Sequence, residues 1–228
     1  MRLLVVNPNA SPTVTARIDE AAQAACLPGE RITTICARGA PELIVTPEDA
    51  RAAEGAVTRT LADWTGEVDG IVLASFGDTG LEAVRAMTAR PVVGIAQSAY
   101  AMASVIGPRM AIVSFAAAMA DALRRTAEGY GHGGRLCAMH MAEGPVPDDP
   151  GDIREVFAPQ ILALCQHTAR ADRVDSIVLG GGPLAGLAAR LQPRVPVPVI
   201  DGTTAAIATL RVALGTRAPD RQAGAVPA

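Results

Sequence analysis

The chain has 228 residues, 50% hydrophobic, 19% charged and 3% aromatic, with a formal net charge of −3, the profile of a soluble globular protein with one large domain or two smaller ones. All 20 basic residues are arginine, which excludes Schiff-base, pyridoxal-phosphate and Walker-type nucleotide triphosphatase chemistry, since each needs a lysine amine. Mild acidity and few aromatic rings argue against a nucleic-acid partner.

In chain order, aliphatic and β-branched runs predict strands at RLLVVN (2–7), RITTIC (31–36), GIVLAS (70–75), PVVGI (91–95), RMAIVS (109–114), GRLCAM (134–139), SIVLGG (176–181) and PVPVI (196–200). Helical composition fills Pro12 to Ala25, Pro47 to Trp64 and Asp152 to Ala169 between them. Ser11-Pro12 and Thr46-Pro47-Glu48-Asp49 read as helix starts, each a hydroxyl cap followed by proline in the first turn. Alternating strand and helix predicts parallel sheets covered on both faces. The opening apolar run in MRLLVVNPNAS is too short for a signal segment, and no run reaches the ~18–20 residues of a membrane span. A cytoplasmic protein with no membrane partner is therefore expected. Cys26, Cys36, Cys137 and Cys165 are scattered without metal-ligand spacing and are expected as reduced thiols, and no metal site is predicted.

Compared with itself, the chain repeats. DGIVLASFGDTGLEA from Asp69 aligns with DSIVLGGGPLAGLAA from Asp175, RPVVG (90–94) with VPVID (197–201), and RLLVVNPNASP (2–12) with RMAIVSFAAAM (109–119). Co-linear matches of this kind predict a duplicated unit. The expected fold is thus α/β, with two pseudo-symmetric Rossmann-like, flavodoxin-like halves, each a parallel sheet flanked by helices. Residues 1–100 form the first half, completed by a last helix at 202–214; residues 101–214 form the second, and 215–228 a flexible tail. Ligands of such sheets bind beyond the strand C-termini, so the active site is expected in the cleft between the halves. Its floor would hold Asn7 to Asn9 and Ser75 to Gly80 from one half, and Ser114, Phe115 and Gly181 to Gly186 from the other. The two glycine-containing strand-to-helix turns expose N–H groups suited to an oxyanion; the plainer reading is that their glycines only permit tight turns.

NPNAS (7–11), SFGDTGLEA (75–83), PVVGI (91–95), LGGGPLAGLA (179–188) and PVID (198–201), in this order and spacing, resemble the Asp/Glu/hydantoin racemase superfamily from residue 2 to about 214. The resemblance implies a cofactor-independent, homo-oligomeric enzyme acting on small carboxylates or cyclic ureides such as hydantoins and allantoin. In that family one cysteine removes a proton beside a carbonyl and a second returns it from the other face. The positions that match those cysteines are Ser75 and Gly181 here. A thiol titrates near ~8.5 and shuttles protons near neutrality; a serine hydroxyl does so poorly and glycine not at all.

The candidate catalytic residues are accordingly Ser75, as hydrogen-bond donor or nucleophile, Asp78 and Glu42 as acids or bases, and His132 as a loop base; an aspartate in a strand-to-helix turn such as Asp78 is more often a helix cap. The candidate substrate-binding residues are Asn9, Phe76, Gly77, Thr79, Ser114, Phe115, Gly181, Gly182, Pro183 and Leu184. Loss of both thiols leads to the expectation of hydrolysis or elimination on a small anionic or hydantoin-like substrate. The alternatives are a racemase or isomerase using non-cysteine bases, and a ligand-binding descendant without catalysis.

Overall fold

The computed structural model describes residues 1–115 and 117–216. Its elements run β1 (Arg2–Asn7), α1 (Pro12–Ala24), β2 (Arg31–Cys36), α2 (Pro47–Ala62), β3 (Gly70–Leu73), α3 (Leu81–Met87), β4 (Val92–Gly94) and α4 (Ile95–Ile106). The series repeats as β5 (Met110–Phe115), α5 (Ala120–Gly129), β6 (Leu136–Ala142), α6 (Ile153–Ala171), β7 (Ser176–Gly180), α7 (Leu187–Leu191), β8 (Val199–Asp201) and α8 (Gly202–Gly215). Two four-stranded sheets result, ordered β2-β1-β3-β4 and β6-β5-β7-β8, and every pairing is parallel. The identical order is the duplication expressed as topology. Asp69 and Asp175, the residues that open the repeated segment, do the same work in each half: they accept the N–H of Arg2 (2.7 Å) and of Arg109 (2.9 Å), pinning the start of the neighbouring strand.

All eight expected strands form, with displaced ends. β3 stops at Leu73, so Ala74 and Ser75 belong to the turn, although the Ala74 N–H still reaches Val6 O at 2.8 Å. β6 starts later than expected because Gly133–Arg135 form a short 3-10 turn. Ile95, expected in a strand, opens α4 directly. Gly215, expected in the tail, is the last residue of α8, and residues 217–228 lie outside the described ones.

Helix starts follow their caps. Ser11 Oγ accepts the Val14 N–H at 3.2 Å, and Thr46 and Asp49 form a reciprocal capping box, each cap contributing about 1 kcal/mol. Val14, Ile18, Ala21 and Ala22 make the buried stripe of α1, a helical spacing that turns one face to the sheet. The central apolar cluster joins both sheets: Leu3, Val5 and Val72 of the first meet Met110, Ile112 and Val178 of the second, with Tyr100, Ala103, Ala206 and Leu210 among them. Each fully buried Leu, Ile or Val stabilises the fold by roughly 1.5–3 kcal/mol. The helices cross over: α4 lies on β7 and α8 on β3, where a Cβ at Gly70 would stand 2.7 Å from Leu210 Cδ1. Among the described residues no helix is long and apolar enough to cross a membrane.

Candidate active site

β1 ends at Asn7, which is completely buried and organises the loop that follows. Its Nδ2 donates to Asn9 Oδ1 (2.7 Å) and Thr15 Oγ1 (2.9 Å), and its Oδ1 accepts the Asn9 N–H (3.2 Å). Asn9 Oδ1 also takes the Ser11 N–H at 3.0 Å. The Asn9 carbonyl oxygen is thus fully employed, while its Nδ2 donates to nothing among the described residues. Pro41 O accepts the Ala10 N–H at 3.0 Å, drawing the loop after β2 over this turn, and Leu43 of that loop touches the apolar cluster of the second half.

The turn after β3 is held from inside. Ser75 O accepts the Asp78 N–H (3.0 Å) and Ser75 Oγ accepts the Thr79 N–H (3.1 Å), leaving the Ser75 hydroxyl proton unassigned. The N–H groups of Phe76 and Gly77 have no acceptor among the described residues. Phe76 itself points inward, edge-on to Tyr100 at 5.7 Å.

Asp78 does not cap the helix that follows it. At φ 47°, an unusual conformation for a non-glycine residue, it sends its carboxylate to the start of α4, where Oδ1 accepts Ala96 N–H (2.9 Å) and Oδ2 accepts Gln97 N–H (2.8 Å). The Tyr130 hydroxyl donates to the same Oδ2 at 2.8 Å. Burial pushes this carboxyl up to about 6, against the opposite pull of Tyr130 and the two amides. Gly94 is glycine because of this carboxylate, since a Cβ there would lie 2.1 Å from Asp78 Cγ. Gln97 is tied to Arg85, whose Nη2 donates to its Oε1 at 2.8 Å.

The second half reaches the same end by another strand. Asp201 sits opposite Leu179 as Gly94 sits opposite Leu73; its carboxylate accepts Thr203, Thr204 and Gly186 N–H groups at 2.8, 3.1 and 2.6 Å. Burial raises this carboxyl too. Arg154, almost wholly enclosed, braces the turn from behind by donating to Ala185 O (3.0 Å) and to Glu20 of α1 (3.0 Å).

Gly181 adopts φ 135°, a region that suits glycine. A Cβ there would stand 2.6 Å from Phe115 Cε1, and Phe115 is fully enclosed and stacked on Phe157 at 6.3 Å. The position therefore lacks a side chain and also lacks room for one. Ser114 is likewise buried and donates to Gly180 O. Pro183 and Leu184 form a short 3-10 turn with Gly182, and Leu184 joins the second-half core. A Cβ at Gly182 would come 3.0 Å from Ala74 O, so the two strand-end turns lie against each other.

Glu42 is exposed and makes no hydrogen bond among the described residues. The His132 ring leans on Tyr100 (6.3 Å) with Nδ1 enclosed and unpartnered, and burial, then Arg135, lowers its affinity for a proton. Neither residue is hydrogen-bonded to Ser75 or to either turn. Cys165 is buried in α6, its thiol pushed up to about 12 by desolvation; Cys36 ends β2 beside Asn7. Among the described residues no group of three or more His, Cys, Asp or Glu is placed to hold a metal. Sequence reasoning missed Tyr130 and Arg154, whose roles arise from contacts with distant segments.

The chain matches the model of the Asp/Glu/Hydantoin racemase family over residues 3–210. It is 32% identical over 219 residues to the hydantoin racemase of Paenarthrobacter aurescens, covering 94% of this chain and 92% of the relative. Of solved structures, it is similar to the allantoin racemase from Klebsiella pneumoniae, with a TM-score of 0.88 and 35% identity over 94% of this chain and 89% of the other. The allantoin racemase from Pseudomonas fluorescens superposes with a TM-score of 0.86 at 26% identity, over 100% of this chain and 97% of the other. None of these three is named a hydrolase or a lyase.

Proposed function

Because the chain belongs to the Asp/Glu/hydantoin racemase family, we propose that it binds a five-membered cyclic ureide, a hydantoin or allantoin, and moves the proton at the substituted ring carbon without opening the ring. The observation that carries this reading is the meeting of two strand-end turns with unpaired N–H groups at Phe76, Gly77 and Gly181. The ring carbon lies beside a carbonyl, so losing its proton leaves an enolate whose negative charge sits on oxygen. Fixed N–H groups at a strand end stabilise such an oxyanion. Asn9 Nδ2 is free to orient the ring. Ser75 carries the one side-chain hydroxyl at either turn position where the family pattern has cysteine: its Oγ takes the ring proton as its own proton passes to a hydroxide ion from solvent, which leaves the enolate, the serine hydroxyl and water. Proton return from water completes the inversion.

Hydrolysis or elimination is the less supported course. The relatives named above are racemases, and hydrolysis in addition calls for a group that aims water at the ring carbonyl, whereas neither Glu42 nor His132 is bonded to the Ser75 turn. Without a thiol the expected rate is low, since a hydroxyl is a much weaker acid than a thiol near ~8.5. The test is incubation with enantiopure 5-substituted hydantoins and with one enantiomer of allantoin, followed by chiral chromatography and mass spectrometry. Loss of enantiomeric purity at unchanged mass is expected; a ring-opened product, heavier by one water, would overturn the reading. The closed Gly181 position favours a second reading, ligand binding without turnover, which predicts thermal stabilisation by hydantoin and no loss of enantiomeric purity.

A further inference from the structure

Ser75 is held in place by its own turn, and that turn is held by the other half of the molecule. Tyr130 follows α5, in the second sheet's half, yet its hydroxyl ends 2.8 Å from Asp78 Oδ2 in the first. We propose that Tyr130 is a positioning residue for Ser75, acting through Asp78 as a clamp whose hold on the turn changes with the proton on that carboxylate.

The chain of bonds is continuous. Asp78 N–H fixes Ser75 O, and the next residue's N–H, Thr79, fixes Ser75 Oγ. On its other side the Asp78 carboxylate faces three donors, the Ala96 and Gln97 N–H groups and the Tyr130 hydroxyl. All three bonds favour the ionised form, so a proton added to the carboxylate weakens them, and the Tyr130 hydroxyl, which can accept as well as donate, is the partner able to turn round. Both Ser75 contacts come from Asp78 and its neighbour, so that rearrangement is transmitted to the Ser75 oxygen.

The groups around the carboxylate fit this role. Arg85 of α3, fixed by Glu82, Val92 O and Gln97, favours the ionised form, while Tyr100 of α4, fully enclosed, lies near enough that the ionised carboxylate strengthens its hold on its own hydroxyl proton. Arg51 and Glu54 of α2 line, with Asp78 and Tyr130, a cavity of about 330 Å³, which gives solvent protons a route to a residue only 5% exposed. Desolvation is what brings the titration of Asp78 up to about 6, into a range where the clamp responds to ordinary changes of pH.

The inference rests on the proposed function only in taking the Ser75 turn as the reacting site, and its test does not need turnover. Asp 13Cγ and the Thr79 amide are followed by NMR against pH in the full chain, in Tyr130→Phe and in Asp78→Asn. In the unaltered chain the Thr79 amide is expected to titrate with the Asp78 carbon. In Tyr130→Phe, which removes a donor to the ionised form, both midpoints are expected to rise together by on the order of half a unit. In Asp78→Asn the Thr79 amide should stay flat over the same range. A Thr79 amide that ignores Asp78, or an Asp78 midpoint unmoved by Tyr130→Phe, overturns the clamp. With a ureide turned over, the acid limb of kcat should move with the same midpoint while KM holds; a limb unmoved in Tyr130→Phe overturns the positioning role. Absence of turnover in the unaltered chain would count against the proposed function and leave the clamp to be judged by NMR.

Discussion

Replacing Gly181 with alanine tests whether the second half of the site is closed, since it adds one methyl group at φ 135° and 2.6 Å from Phe115 Cε1. Two costs follow. Holding a non-glycine residue in such a conformation costs about 1–3 kcal/mol, and overpacking a filled core costs about 1–3 kcal/mol more. Phe115 cannot step aside cheaply, being fully enclosed and stacked on Phe157. The combined loss is about 2–6 kcal/mol. At about 2–4 °C per kcal/mol for a chain of this size, the melting temperature should fall by roughly 4–24 °C, and urea titration should give the same ΔΔG with an unchanged m-value. Adding Phe115→Leu should return the packing part and not the backbone part, so the double variant should recover about half of the loss. Gly181→Cys should behave like the alanine variant and gain no proton-transfer activity by itself. A Gly181→Ala chain that melts with the unaltered protein would refute the reasoning and reopen position 181 as a place for a reacting side chain.

Ser75→Cys places a thiol at a half-buried turn position whose side chain already has room; melting should change little and proton exchange on enantiopure hydantoins should rise at least tenfold, and an unchanged exchange rate would remove residue 75 from the reacting carbon. Asp78 makes the chain more stable in acid than near neutrality, because its carboxyl is raised in the folded state: the contribution is complete below about pH 4 and lost as pH rises through about 6, by about 3 kcal/mol in all. Comparing urea unfolding at several pH values, Asp78→Asn should lack this part of the slope, although it is less stable overall; parallel slopes would contradict the assignment. Arg154→Met leaves Ala185 O without its buried donor and should cost about 2 kcal/mol, with ureide affinity falling because the second turn loses its brace; thermal melting and calorimetric titration read the two effects separately.

The sheets were legible because their strands are short aliphatic runs bounded by polar turns, and because the same pattern occurs twice. Asp69 and Asp175 illustrate this: the repeat marks them, and the structure gives both the same bond. Strand ends were less legible, since Ile95 is as apolar as a strand residue and becomes helical because Asp78 caps the two amides after it. Asp78 was visible as a candidate cap, but the helix it caps, α4 and not the α3 that follows it, was not. Its partners lie at Ala96, Gln97 and Tyr130, distances along the chain that no local rule spans. Tyr130 had only one faint signal, its rarity in a chain with two tyrosines. The three glycines at 180–182 signalled a special backbone, yet only the placement of Phe115 shows that position 181 is filled from the side.

The central claim, proton transfer on an intact ureide ring without a thiol pair, is tested most directly by deuterium exchange. An enantiopure 5-substituted hydantoin is incubated in heavy water with the unaltered chain and with Ser75→Ala, and the label at the ring carbon is followed by mass and proton NMR. The account predicts one deuterium per molecule, an unopened ring, and slower exchange in Ser75→Ala. A product that has gained water, or exchange equally fast in Ser75→Ala, would contradict it.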